Sequence, residues 1–173
     1  IKGGEVFTYI ERVETKELFL KAFENLDKLV SILKELDERL VAGELSDISE
    51  LVEKAEDSLG EACRSGSTFI IDTPDYYQAA LGMIFLGMAE DLKMVLDAML
   101  MTKDVGIEVE GYRTACGIVF DAYKAFRENE KEKASEVAKR FRRFMRKKHS
   151  KPNIEIARSG FHIARMVTKP FPV

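Results

Sequence analysis

The chain has 173 residues, with 27 Lys plus Arg against 30 Asp plus Glu and a formal net charge of −3. That length fits one domain or two small ones and is enough to bury a core. The near balance of charge excludes a global basic field drawing the chain to nucleic acid, and two cysteines, Cys63 and Cys116, both inside helical patterns, read as reduced thiols and not as a disulfide framework.

The chain opens at Ile1, and an initiator Met is not normally removed before so bulky a residue, so further residues are expected upstream. Residues 1–14 show no basic segment followed by an apolar one, so no signal peptide is visible. "KGGEVFTYIE" alternates weakly and reads as a short strand or an arm.

A first helix is expected from Thr15, a cap, to about Val41. Phe19, Ala22, Leu26, Leu29, Leu33, Leu36 and Leu40 recur at spacings of three and four, three heptads of one apolar seam. "AGEL" breaks it. Asp47 with Glu50 resembles a capping box, and Ile48, Leu51, Val52, Ala55, Leu59 and Ala62 mark a second helix ending near "RSGS".

Thr73, Pro74 and Asp75 open a third helix running to about Met101. At its centre lies "AALGMIFLGMAED": Ala79 to Ala89 carry no charge, and Glu90 and Asp91 follow at once. Eleven residues fall short of the roughly 20 needed to span a bilayer. A helix apolar on nearly all sides is instead a core helix. Its methionines read as ordinary gap-filling.

Tyr112, Cys116, Val119, Tyr123 and Phe126 form a fourth seam. Ala134, Val137, Ala138, Phe141, Phe144 and Met145 form the apolar face of a fifth helix, ended by "HSKPN". Ile154, Ala157, Phe161, Ala164 and Val167 mark a shorter sixth helix before Pro170. At an offset of 86 residues Leu26 falls on Tyr112, Leu33 on Val119 and Leu40 on Phe126. Past the turn, Leu51 falls on Val137, Ala55 on Phe141 and Leu59 on Met145. Phase kept across a turn points to an internal repeat. The expected fold is therefore all-α, a six-helix bundle from two tandem three-helix units: an arm over 1–14, a first unit over 15–102 and a shorter second unit over 103–173.

Two tandem three-helix units with long first and third helices resemble the PhoU family of phosphate-signalling and ion-transport regulators. That family carries an acidic motif on its third helix just after an apolar run. Here "FLGMAEDLKMVLD" places Glu90 at the first acid and Met94 at the second, with Asp91 and Asp97 nearby. "VEKAED" supplies Glu53 and Asp57 on the second helix. In the second unit Arg143, Arg158 and His162 stand where acids would be wanted. The resemblance implies a cytoplasmic regulatory or scaffold protein acting through protein contacts or self-association. It also implies a divalent or iron-type metal at Glu53, Asp57, Glu90 and Asp91.

Read from the residues alone, Glu53 and Asp57 share a helix face, and carboxylates on facing helices can hold a cation. A solvated acidic face is the alternative. His149 and His162 have no Cys partner at ligand spacing, which disfavours zinc. The run "KRFRRFMRKKHSK" holds eight Lys or Arg and no acid. With Phe141, Phe144 and Met145 turned to the core, Arg140, Arg142, Arg143, Arg146 and Lys147 face outward, toward phosphates or an acidic partner. Alternatively, Glu130, Glu132 and Glu136 at the start of this helix and bases at its end simply complement its dipole. No nucleophile–base pair or phosphate loop is present, so the reading is a non-enzymatic regulator. A helical nucleic-acid-binding protein using residues 139–151 is the runner-up, and a carboxylate-bridged metal enzyme a weaker third.

Overall fold

The computed structural model describes residues 16–46, 48–71, 76–105 and 108–168. These form an all-α bundle of six helices: α1 (Lys16–Ala42), α2 (Ile48–Ile71), α3 (Tyr76–Val105), α4 (Val109–Arg127), α5 (Lys131–Phe144) and α6 (Lys151–Thr168). No strand occurs among the described residues. The arm over 1–14 and the expected caps Thr15, Asp47, Thr73 and Pro74 lie outside the described residues. None of the described helices is long and apolar enough to cross a membrane.

The chain divides into two compact units between Glu90 and Asp91, inside α3 and ahead of its end. At 30 residues α3 is the longest of the described helices, about 45 Å at 1.5 Å per residue, and each unit takes part of it.

In the first unit α1 packs on α2. The seam read from the sequence is the core: Leu26, Leu29, Leu33 and Leu36 are fully buried. The start of α3 closes this unit. Ala80, Leu81, Ile84, Phe85, Met88 and Ala89 are buried, and Phe85 meets Phe23 of α1 edge-on with ring centroids 4.6 Å apart. α2 does not stop at "RSGS" but runs on to Ile71. Gly66 is buried in its path, and a Cβ there would lie 3.0 Å from the Gly82 carbonyl oxygen and from Leu86 Cγ. This glycine serves close helix approach, not termination.

In the second unit α4 and α6 form the closest pair, and α5 packs on both. Tyr112, Cys116, Val119, Tyr123 and Phe126 are buried as the spacing requires. At the α4–α6 crossing a Cβ on Gly160 would stand 2.8 Å from the Val119 backbone nitrogen. Phe141 of α5 stacks on Phe161 of α6 at 4.6 Å. Met145, expected in the core, is exposed: it is the C-cap residue of α5, its N–H still donating to the Phe141 carbonyl at 2.9 Å, and the tighter turn bonds of Arg146 and Lys147 to Arg143 and Phe144 follow it.

The same C-cap is built in both units. After α1, Gly43 takes φ 74°. Its N–H donates to the Leu40 carbonyl at 3.3 Å, and the Glu44 N–H donates to Arg39 at 2.9 Å. After α4, Asn129 takes φ 54°. Its N–H donates to Phe126 at 3.2 Å, and the Glu130 N–H donates to Ala125 at 2.8 Å. Both are Schellman caps with a left-handed residue that Gly or Asn tolerates. Their four donors and acceptors are each displaced by the 86 residues that relate the hydrophobic seams. Beyond the caps the parallel fades: Leu51 and Val137 are both buried, whereas Leu59 is half-buried and Met145 exposed.

Candidate anion-binding cleft

The acids singled out by sequence fall in different surroundings. Glu53 and Asp57 are exposed on α2, and Glu90 is exposed on α3. Asp91, in the second unit, is buried, and its Oδ1 lies 3.3 Å from Nδ1 of His162, a half-exposed side chain on α6. Among the described residues no three His, Cys, Asp or Glu side chains converge as a metal site.

The basic residues are divided by α5. Arg140 and Arg143 of α5 and Lys147 of the turn after it lie on one side, where they line a cleft of about 330 Å³ together with Lys148 and His149. Arg142 and Arg146 are exposed but do not line it. The facing wall is the start of α4: Glu108, Glu110, Gly111 and Thr114. Two of the cations already have partners. Arg140 pairs with Asp121 of α4, and Arg143 pairs with Glu136 two turns back along its own helix at 3.1 Å.

The α4 wall is held by its N-cap. Glu108 Oε1 accepts the Gly111 N–H at 3.2 Å, satisfying one of the donors a helix start leaves open. Its Oε2 accepts from Asn153 Nδ2 at 3.2 Å, and Asn153 is buried in the first turn of α6. One carboxylate thus ties two helix starts together. Gly111 makes this fit possible, since a Cβ there would overlap Glu108 Oε2 and lie 3.1 Å from Asn153 Nδ2.

His149 completes the cleft. Its side chain is only 9% exposed and its ring stacks on Phe144, centroids 3.6 Å apart and planes 3° from parallel. Nε2 lies 2.8 Å from the Phe144 carbonyl oxygen. A carbonyl only accepts, so Nε2 carries the hydrogen. In the neutral ring Nδ1 is then a bare lone pair. It is buried without a hydrogen-bond partner, and the nearest acid oxygen, Glu108 Oε2, is 4.0 Å away.

Sequence reasoning reached Arg140, Arg143 and Lys147 through the basic run. It missed Glu108, Glu110, Gly111 and Thr114. The available signal was "EVEG", an acid three residues ahead of a glycine at a helix start, which is side-chain capping distance. Lys148 and His149 belong to the same basic run, but "HSKPN" in sequence marks only the end of the helix. The chain has no match among protein-family models, curated proteins or solved structures.

Proposed function

We propose that the protein is a regulatory binding module of PhoU-like type that works through contact with another protein, and that the cleft of the second unit takes an acidic segment of that partner. The observation that carries this reading is the gathering of Arg140, Arg143, Lys147 and Lys148 along one cleft. Guanidinium forks and ammonium groups suit carboxylates or phosphorylated side chains. Support for the PhoU-like part is architectural: the matched caps after α1 and α4 and the shared phase of their seams. The acids Glu53, Asp57 and Glu90 have no part in this cleft.

A cleft of this volume holds a side chain or a short peptide turn. Nucleic-acid binding would be favoured by an unbroken basic track, whereas Glu108 and Glu110 interrupt this one. The full chain should bind a glutamate-rich peptide with an affinity that falls at least tenfold in Lys147→Glu/Lys148→Glu, two exposed positions whose reversal spares the core. Binding of single- or double-stranded DNA with a steep salt dependence, and none of the peptide, would replace this reading with the nucleic-acid one.

A further inference from the structure

The positive charges at the cleft are largely engaged. Arg140, Arg143, Lys147 and Lys148 line it. Against them stand Glu108 and Glu110 in the lining, Asp121 on Arg140 and Glu136 on Arg143. Asp121 and Glu136 also stand beside Lys124 and Lys133, so with the two arginines engaged the charges left facing an anion are Lys147 and Lys148 against Glu108 and Glu110, and it gains little net attraction while His149 is neutral. The remaining packed element, α6, contributes Asn153, which is uncharged.

His149 is the group able to tip that balance. Its Nε2–H is committed to the Phe144 carbonyl, so an added proton goes to Nδ1. That atom is buried and unpartnered and lies 4.0 Å from Glu108 Oε2. In the neutral ring two electron-rich atoms, the Nδ1 lone pair and the carboxylate oxygen, oppose each other. In the imidazolium both nitrogens are donors and each faces an acceptor. The imidazolium also offsets the charge of Glu108, which leaves Lys147 and Lys148 uncompensated at the mouth of the cleft.

We propose that the cleft is an oxyanion site whose occupancy is linked to protonation of His149: the anion enters beside Lys147 and Lys148 while Nδ1 takes a proton from solvent and is held by Glu108. The ligand class is a carboxylate or phosphate-monoester group, and the linkage is reciprocal, so that protonation strengthens anion binding and the anion strengthens protonation. This rests on the cleft being the binding face, as proposed above.

Sulfate is the first probe, because it stays dianionic throughout the range in which histidine titrates. Titrated calorimetrically into the full chain, it should bind roughly fivefold more tightly near pH 5.5 than near pH 8, the effect of one unit charge on a dianion at about 8 Å in water. Heats measured in buffers of different ionisation enthalpy should report proton uptake. His149→Gln should bind at the wild-type pH 8 level at both pH values, without uptake. Glu108→Gln should move the other way and bind more tightly than wild type at pH 8, because it removes the charge that offsets the lysines. Sulfate that fails to bind at either pH, binds equally at both, or retains its uptake in His149→Gln overturns the proposal. A phosphoserine peptide and its glutamate counterpart then distinguish the sources. Binding of either with proton uptake supports the inference and names the source. Peptide binding that persists without uptake removes this inference and leaves the proposed function standing, whereas loss of all peptide binding removes both.

Discussion

Gly111 shows how a single side chain, or its absence, sets the cleft. Two effects compete on replacing it with Ala. Ala is preferred over Gly inside a helix by up to about 1 kcal/mol. Against that, the new Cβ overlaps Glu108 Oε2 and crowds Asn153, displacing the carboxylate from two hydrogen bonds. Losing an N-cap alone costs about 0.5–2 kcal/mol, and freeing buried Asn153 adds to it. Gly111→Ala should therefore lower stability in denaturant titration by about 1 kcal/mol net. Gly60 in α2 is the control: a Cβ there meets only Arg64 at an ordinary 3.8 Å, so Gly60→Ala should be stabilising. Equal effects at the two glycines would show that the Glu108 cap contributes nothing. This is also the scale at which the sequence is least legible. The basic side chains announce themselves by charge, but Glu108 acts through a backbone N–H and an amide 45 residues away. No local pattern reveals that second partner.

Helices were far more readable than sites, because burial on one face leaves a period of 3.6 that survives in sequence. The α1 seam from Ala22 to Leu40 and the α4 seam from Tyr112 to Phe126 are buried, and most of the apolar run of α3 is core. The misread ends have specific causes. Gly66 imitates a stop signal because close packing and termination both select glycine. Met145 keeps the α5 phase but sits at the C-cap, with the last regular turn already behind it. Exposed pairs stabilise the start of α5: Glu130 is the residue before it, and Lys133 Nζ lies 2.6 Å from its carboxylate. The hydrogen bond donated by Lys133 holds the Glu130 carboxyl below its ordinary range and raises the Lys133 ammonium. The central test at this scale is Ile84, 1% exposed in α3. Ile84→Asp places an unpaired charge in the core of the first unit, a cost on the order of several kcal/mol. Thermal melting should lose its cooperative transition or the protein should become insoluble. A melt like that of wild type would mean that this face of α3 is not core.

For the molecule as a whole, the sequence carries two kinds of information that differ in reach. Hydrophobic phase carries far enough to relate α1 and α4 across 86 residues, down to the paired caps at Gly43 and Asn129. Charge carries less far, because its meaning depends on what faces it. The run around Arg140 to Lys148 reads as a basic surface until Asp121, Glu108 and Glu110 are seen opposite it and Glu136 beside it on α5. Glu90 and Asp91, adjacent in sequence, end with one exposed and the other buried beside His162. The central claim is that the second-unit cleft is where another protein is engaged. Its most direct test is a photo-crosslinking residue at Thr114, an exposed position in the cleft wall, in the full chain inside living cells, with adducts identified by mass spectrometry. The account predicts a discrete protein adduct, mapped to an acidic or phosphorylated segment, that disappears when Lys147 and Lys148 are both changed to Glu. Adducts to nucleic acid, or a protein adduct untouched by that reversal, would contradict it.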